Sequence, residues 1–469
     1  MGKLVGAYIL PHPPIMIKEI GGRESNKVSS TINSLKIVSK KIKNQKPDTI
    51  IIVTPHGPMF NDVMNFAIED KLTGDFRRFG ASMLRYEFEN DTELAEKIID
   101  EADKEGVYCI PFTKDMAKTY GTGYELDHGA LVPLHFIQED NKDVKLVHIT
   151  YSGLSDEDHY KLGMGIKKAV EALDRDAVVI ASGDLSHRLT IDAPAGYDKR
   201  GKEYDRFFLE VLEKGDVLAF LNIEKEFIAA AGECAYKSVV VLLGCLDNCH
   251  IKGKLYSYEG PFGVGYGVMV INWEGCNDGK SIFDEYRKTK EIYMKNLREN
   301  EDPYVRLARF TLENKIKHNR GIKIPDDLPK EMLEKRAGVF VTLKKNDNLR
   351  GCIGTINPTT KSIAEEIMRN AVSAGLNDTR FSPVEEDELD YLIYSVDVLG
   401  EAEEIDSKGK LDPKRYGVIV RKGMRTGLLL PNLEGVETAE EQLSIALRKA
   451  GISEKENYKI ERFEVIRHS

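Results

Sequence analysis

Two histidines each follow a run of apolar residues. Leu4–Leu10 leads into Pro11, His12, Pro13 and Pro14, and Thr49–Val53 leads into Thr54, Pro55, His56, Gly57 and Pro58. The flanking prolines cannot continue a central strand, so both imidazoles are expected on loops at strand ends. In an open α/β sheet that is where ligands bind. Two imidazoles at one sheet edge begin a metal site, and the metal decides the chemistry. On spacing alone, two turn histidines with no ligand role remain the competing account.

Further residues extend the pattern. His187 follows the strand-like run Ala177–Ile180, and Asp184 lies three residues before it. That carboxylate is placed to hydrogen-bond an imidazole and fix its tautomer. Glu233 precedes the helix-like run Lys237–Leu246. It reads either as an N-terminal carboxylate stabilised by the helix dipole or as the anion completing a two-His-one-carboxylate face. Such a face leaves three positions open on an octahedral Fe(II), two for the oxygens of a catechol or similar diol and one for O₂. His187 and His128, unliganded, are then available to move protons.

The elements that must position these residues alternate. Strands are expected at Leu4–Leu10, Thr49–Val53, Lys145–Thr150, Ala177–Ala181 and Gly265–Ile271. Amphipathic helices are expected at Ser29–Lys43, Asp91–Glu105, Asp156–Leu173 and Asp198–Lys214. This predicts an α/β domain with a central, mostly parallel sheet. The stretch Asp75–Leu84, mixed and rich in aromatics, reads as a loop folding toward the site. Gly263, Gly265 and Gly267 precede or enter the last strand rather than joining a strand to a helix, so they read as close backbone packing and not as a nucleotide loop.

The texture changes after Trp273–Gly279. Ile282–Lys295 is charged and helical in period, and Asp302 with Pro303 reads as the N-cap and first position of a fresh helix. Strands follow at Ala337–Lys344, Leu349–Ile356, Tyr391–Leu399, Gly417–Lys422 and Arg425–Leu430, with a hairpin turn at Arg421–Met424. Helices are expected at Ser362–Ala374 and Thr438–Ala450. That is an α+β pattern, mostly antiparallel. The expected division is 1–275, a linker at 276–294, and 295–469.

Composition narrows the class. The chain has 469 residues, 41% hydrophobic and 31% charged, which fits two globular domains. The formal net charge of -10 and the lack of a long basic run give nucleic-acid binding little support. No stretch approaches the ~20 apolar residues of a membrane span. The N-terminus enters a strand with no secretory h-region, which points to the cytoplasm. The six cysteines form no paired CxxC array, so a zinc ribbon is not expected and free thiols are. Cys245, Cys249 and His250 read as burial at a helix end. A homodimer is the default assembly, because most soluble oligomers are two-fold symmetric.

His12, His56, His128, Asp184 with His187, and Glu233 together resemble the catalytic subunits of class III extradiol dioxygenases over roughly residues 1–275. That resemblance implies His12, His56 and Glu233 as iron ligands, His187 as acid/base and His128 as a further active-site histidine. The same region resembles the Memo proteins, which share the fold and repeat the Asp184–His187 spacing but place a cysteine at the third ligand position, matched here by Cys234. A thiolate there pulls the site toward zinc or copper. Over 295–469 the segments Val341–Leu343, Leu349–Gly354, Asp378–Pro383 and Arg421–Pro431 resemble the AMMECR-type domain. Within them Cys352 reads as a nucleophile or as a small buried residue beside glycines. The resemblances imply an Fe(II)-dependent extradiol-type dioxygenase taking an aromatic or related diol and O₂. The alternative they imply is a Memo-like metal-binding accessory protein working with a radical SAM partner.

Overall fold

The computed structural model describes residues 2–276, 281–345, 348–433 and 435–469. The break expected at Trp273–Gly279, and the residues between the expected strands Ala337–Lys344 and Leu349–Ile356, therefore fall partly outside the described residues. The chain divides into two compact units, Met1–Thr289 and Lys290–Ser469. The division falls inside a helix, Ile282–Glu299.

The first unit is built on an eight-stranded sheet. Its strands include β1 (Lys3–Leu10), β2 (Thr49–Thr54), β3 (Met64–Ala67), β6 (Cys109–Phe112), β7 (Lys145–Thr150), β8 (Asp176–Ser182), β9 (His250–Glu259) and β10 (Tyr266–Glu274), in the order β6-β3-β7-β2-β8-β1-β10-β9. A separate hairpin pairs β4 (Lys71–Phe76) with β5 (Ala81–Glu89). The segment expected as a loop at Asp75–Leu84 is thus the turn and flanks of this hairpin. Gly80, at φ +81°, reverses the chain there.

The centre of the sheet is parallel: β2 pairs with β7 and β8, and β8 pairs with β1. Helices cover both faces. Ile51, Val53, Val147 and Val179 join one core, and Ile50, Ile52, Val178 and Ile180 join the other. Burial on both faces is why these strands read as continuous apolar runs rather than as alternation. Register then fixes the functional edge. Leu10 lies opposite Ser182, and Val53 opposite Ala181, so the segments leaving β1, β2 and β8 emerge side by side.

One expectation fails here. Cys249 and Cys276 form a disulfide, although the chain was expected to hold free thiols. The antiparallel pairing of β9 with β10 sets His250 opposite Glu274, which brings two cysteines distant in sequence to a Cα separation of 4.1 Å. Cys109, Cys234, Cys245 and Cys352 are free.

The second unit contains two antiparallel sheets. One has the order β12-β11-β13-β18, from β11 (Val339–Lys345), β12 (Asn348–Gly354), β13 (Leu392–Leu399) and β18 (Val465–His468). The other has the order β14-β17-β15-β16, from β14 (Glu403–Ile405), β15 (Gly417–Lys422), β16 (Arg425–Leu429) and β17 (Lys459–Phe463). The helices Pro303–His318 and Ile363–Leu376 pack on Val339, Val341, Leu343 and Val396. Asp302 caps the first of them, accepting the N–H groups of Tyr304 and Val305 ahead of Pro303. No described helix is long and apolar enough to cross a membrane.

Candidate metal centre

The end of β1 delivers His12, the end of β2 delivers His56, and the N-terminus of the helix His128–Ile137 delivers His128. Their ring nitrogens lie within 4.8 Å of one another. His12 Nε2 and His56 Nε2 are 3.0 Å apart. His56 and His128 stack with ring centroids at 4.2 Å. Two glycines permit this approach. A Cβ on Gly129 would stand 2.3 Å from Thr54 Oγ1, and one on Gly183 would stand 2.2 Å from Ala235 Cα. The first closeness brings the His128 helix to β2, and the second brings the Asp184 loop to Cys234.

The hydrogen bonds set the tautomer of His12. The Ser182 hydroxyl donates to the Gly129 carbonyl, so its oxygen accepts from His12 Nδ1 at 2.9 Å. His12 Nε2 is then the bare nitrogen, turned toward His56. The His12 amide donates to Asp184 Oδ1 at 2.9 Å, which ties the β1 loop to the β8 loop. Beneath the cluster, Asp127 Oδ1 accepts from Thr54 Oγ1 at 2.7 Å, and Asp127 Oδ2 lies 2.9 Å from His148 Nε2. Only the parallel pairing of β7 with β2 brings His148 under Asp127.

Electrostatics keep the cluster neutral. Burial, followed by the neighbouring His56 and His128, holds the His12 pKa well below its usual range. Burial and then His128 push His56 down to about 4. His128 and His187 are also lowered, chiefly by burial. Neutral imidazoles with free lone pairs are what a cation requires. Burial raises the Asp184 carboxyl to about 7 against the opposing His12 N–H. Asp127 shows the reverse balance: burial raises its pKa, but His148 and Thr54 outweigh burial and hold it low.

The third protein ligand was expected at Glu233, with Cys234 as the alternative. Glu233 Oε2 accepts the amides of Ala235 and Tyr236 at 2.5 and 2.6 Å, capping the helix Tyr236–Cys245. Burial, only partly opposed by those amides, raises its pKa to about 7. Cys234 Sγ instead lies 3.6 Å from His12 Nε2. Two donors at ordinary zinc distances, roughly 2.0 and 2.3 Å, stand about 3.5 Å apart at a tetrahedral angle. Cys234 and His12 are therefore spaced as two ligands of one ion would be, while the donors gathered within 4.8 Å of one another are the imidazoles of His12, His56 and His128. Nothing in the sequence separated Glu233 from Cys234, because adjacent residues at a helix start diverge by an angle that spacing does not encode.

His187 leaves β8 in a loop whose amide donates to Ala231 O at 3.0 Å. Its charge is felt by His12 and it feels that of His56, while the ring nitrogens gathered within 4.8 Å are those of His12, His56 and His128. From the hairpin tip, Phe79 sets its ring 5.4 Å from that of His128. The glycine stretch behaves as packing, since a Cβ on Gly265 would lie 2.2 Å from Asp205 Oδ2.

In the second unit Cys352 is half-buried on the edge strand β12. Its Sγ accepts from Thr342 Oγ1 at 3.2 Å and its amide donates to Asp378 Oδ2 at 2.9 Å. Burial raises its pKa, against Thr342 and Arg380. A protonated thiol held in this way is a poor nucleophile.

Residues 6–269 match the family described as the catalytic LigB subunit of aromatic ring-opening dioxygenase, and residues 305–468 match AMMECR1. A protein of Clostridium acetobutylicum is 48% identical over 466 residues, covering 99% of each chain. The 3,4-dihydroxyphenylacetate 2,3-dioxygenase of Escherichia coli is 32% identical over 273 residues, covering 55% of this chain and 95% of that one. A protein of Thermotoga maritima is 49% identical over 170 residues, 36% of this chain and 98% of that one. The chain belongs, through its first unit, to the family of catalytic LigB subunits of aromatic ring-opening dioxygenases, and it carries an AMMECR1 domain in its second.

Proposed function

We propose that this protein is an Fe(II)-dependent extradiol-type dioxygenase acting on a catechol-like diol. The observation that carries the reading is the approach of His12 Nε2 and His56 Nε2 to 3.0 Å with His12 Nδ1 already engaged by Ser182. His12 and His56 hold the metal, with Cys234 or Glu233 completing the set. The metal, when bound, supplies Lewis acidity toward the diol and a route for electrons to O₂.

The chain's own residues do the rest. His187, neutral at physiological pH, accepts a proton from a diol hydroxyl at an imidazole nitrogen and returns it later as an acid. His128 offers a second neutral imidazole, stacked on His56 and shielded by Phe79. Asp184 orients the His12 loop through the amide it accepts. The name of the Escherichia coli relative makes 3,4-dihydroxyphenylacetate the first substrate to test.

A second reading is favoured by the 3.6 Å separation of Cys234 Sγ from His12 Nε2. In it the protein is a Memo-like accessory that holds zinc or copper through the thiolate and does not cleave rings. In either reading the labour divides as 1–275 for metal, 276–294 as linker and 295–469 as the AMMECR-type domain. In the second reading the partner is a radical SAM protein; in both, the assembly is a homodimer and the location the cytoplasm. Oxygen uptake with 3,4-dihydroxyphenylacetate, measured on anaerobically Fe(II)-loaded protein, tests the first reading. Stoichiometric uptake, abolished in His187→Ala, supports it. No uptake, with zinc or copper retained in a Cys234-dependent manner, favours the second.

A further inference from the structure

We propose that Arg188, seconded by Arg78, is the specificity-determining element of this site and reads a carboxylate on the substrate's ring substituent. The inference rests on the diol reading above and deepens it. Arg188 follows His187 directly and is pinned through its backbone. Its amide donates to Ser186 Oγ at 3.1 Å, and its carbonyl accepts the Asp198 amide at 3.2 Å. Its side chain lies over Gly232, with Nε 3.1 Å from the point a Cβ would occupy there. Gly232, at φ +61°, adopts the left-handed conformation two residues before Cys234.

Arg188 Nε is buried and has no hydrogen-bond partner among the described residues. No carboxylate among the described residues forms an ion pair with Arg188. The Asp198 carboxylate, which feels the charge of Arg188, is taken by Arg200 through Nε at 3.1 Å and Nη2 at 2.7 Å. Arg77 and Arg175 of this unit, by contrast, are matched, the first with Asp75 and the second with Asp91 and Glu93. A buried guanidinium N–H left unmade is costly, and the partner that suits its planar fork is a carboxylate.

Arg78 brings a second cation from the hairpin tip. The tip is held by Arg77, whose Nε lies 2.9 and 2.8 Å from the two oxygens of Asp75. Arg78 itself is exposed, and no ion pair or hydrogen bond of its side chain occurs among the described residues. Its charge is felt by His128, and the adjacent Phe79 stacks edge-on against that ring. An aromatic diol with a short anionic tail satisfies the whole arrangement: ring against Phe79, diol at the histidines, carboxylate on the arginines.

The test compares two diols on the anaerobic, Fe(II)-loaded full chain by equilibrium binding. The probes are 3,4-dihydroxyphenylacetate and the neutral 4-methylcatechol. We expect the carboxylated diol to bind at least tenfold tighter in the parent protein. That advantage falls to within twofold of unity in Arg188→Met and shrinks about threefold in Arg78→Met, with 4-methylcatechol affinity unchanged within twofold. An advantage that survives Arg188→Met, or none in the parent protein, overturns the proposal. A second arm needs neither metal nor diol: phenylacetate is expected to protect Arg188 from modification by phenylglyoxal, mapped by mass spectrometry. Lack of protection overturns the arginine assignment. Protection while neither diol binds supports the carboxylate site and overturns the diol reading alone.

Discussion

Asp184 and Cys234 hold each other by two hydrogen bonds running in opposite senses. The Asp184 amide donates to Cys234 Sγ at 3.3 Å, and the Cys234 amide donates to the Asp184 carbonyl at 3.1 Å. This clasp joins the loop after β8 to the start of the helix Tyr236–Cys245, and it aims the sulfur along the edge where His12 emerges. Burial, then the Asp184 carboxyl, drives the thiol pKa well above its usual range, while the amide works the other way. A bound cation reverses that balance, because a coordinating thiol is deprotonated outright.

Ser182→Ala removes the acceptor that holds His12 Nδ1. Metal affinity is expected to fall about 10–100-fold, the usual effect of losing a partner behind a ligating imidazole. Competition with a chromophoric chelator measures it, and unchanged circular dichroism shows that the fold persists.

Gly183→Ala drives a methyl group into Ala235, whose Cα lies 2.2 Å from the new atom. The loop cannot yield without breaking the clasp on Cys234. We expect a destabilisation of about 1–3 kcal/mol, the range for overpacking, accompanied by weaker metal binding. Denaturant unfolding with metal titration reads both.

Much of this fold is legible in the sequence, and the reasons are physical. The runs at Lys145–Thr150 and Thr49–Val53 announce strands buried on both faces, and Asp302 with Pro303 announces a helix start. The hairpin of β4 and β5 was hidden because Gly74 and the Arg77–Phe79 turn interrupt its alternation. The convergence of His12 and His56 follows from strand ends in a parallel sheet. The Asp127–His148 pair does not, because it depends on register between β2 and β7. The Cys249–Cys276 bond was missed for the same reason: pairing of β9 with β10 decides it, not spacing.

The disulfide closes a loop with a sequence separation of 27. Oxidised protein is expected to be about 2–4 kcal/mol more stable than reduced protein. Cys249→Ser should erase the difference between oxidising and reducing buffers in thermal unfolding.

Glu388 gives the second unit a pH dependence. Burial raises its carboxyl, but Arg350 at 2.7 Å and Lys345 at 3.0 Å outweigh burial and hold it at about 2. The unfolded carboxyl titrates near roughly 4.3, so this stabilisation is full above that pH and is lost as pH falls toward the folded value. After solvent screening we expect about 1–2 kcal/mol. Glu388→Gln should be less stable than the parent at pH 7 and equal to it near pH 2 by urea unfolding.

The central claim is that His12, His56 and a donor at the start of the helix Tyr236–Cys245 bind one metal ion. Anaerobic metal loading followed by elemental analysis tests it most directly, on the parent chain and on His12→Ala, His56→Ala, Cys234→Ala and Glu233→Gln. The account predicts one metal per chain in the parent, loss in both histidine variants, and loss in one of the last two, with Cys234→Ala the greater. A parent chain that retains no metal, or histidine variants that retain it in full, would contradict the account.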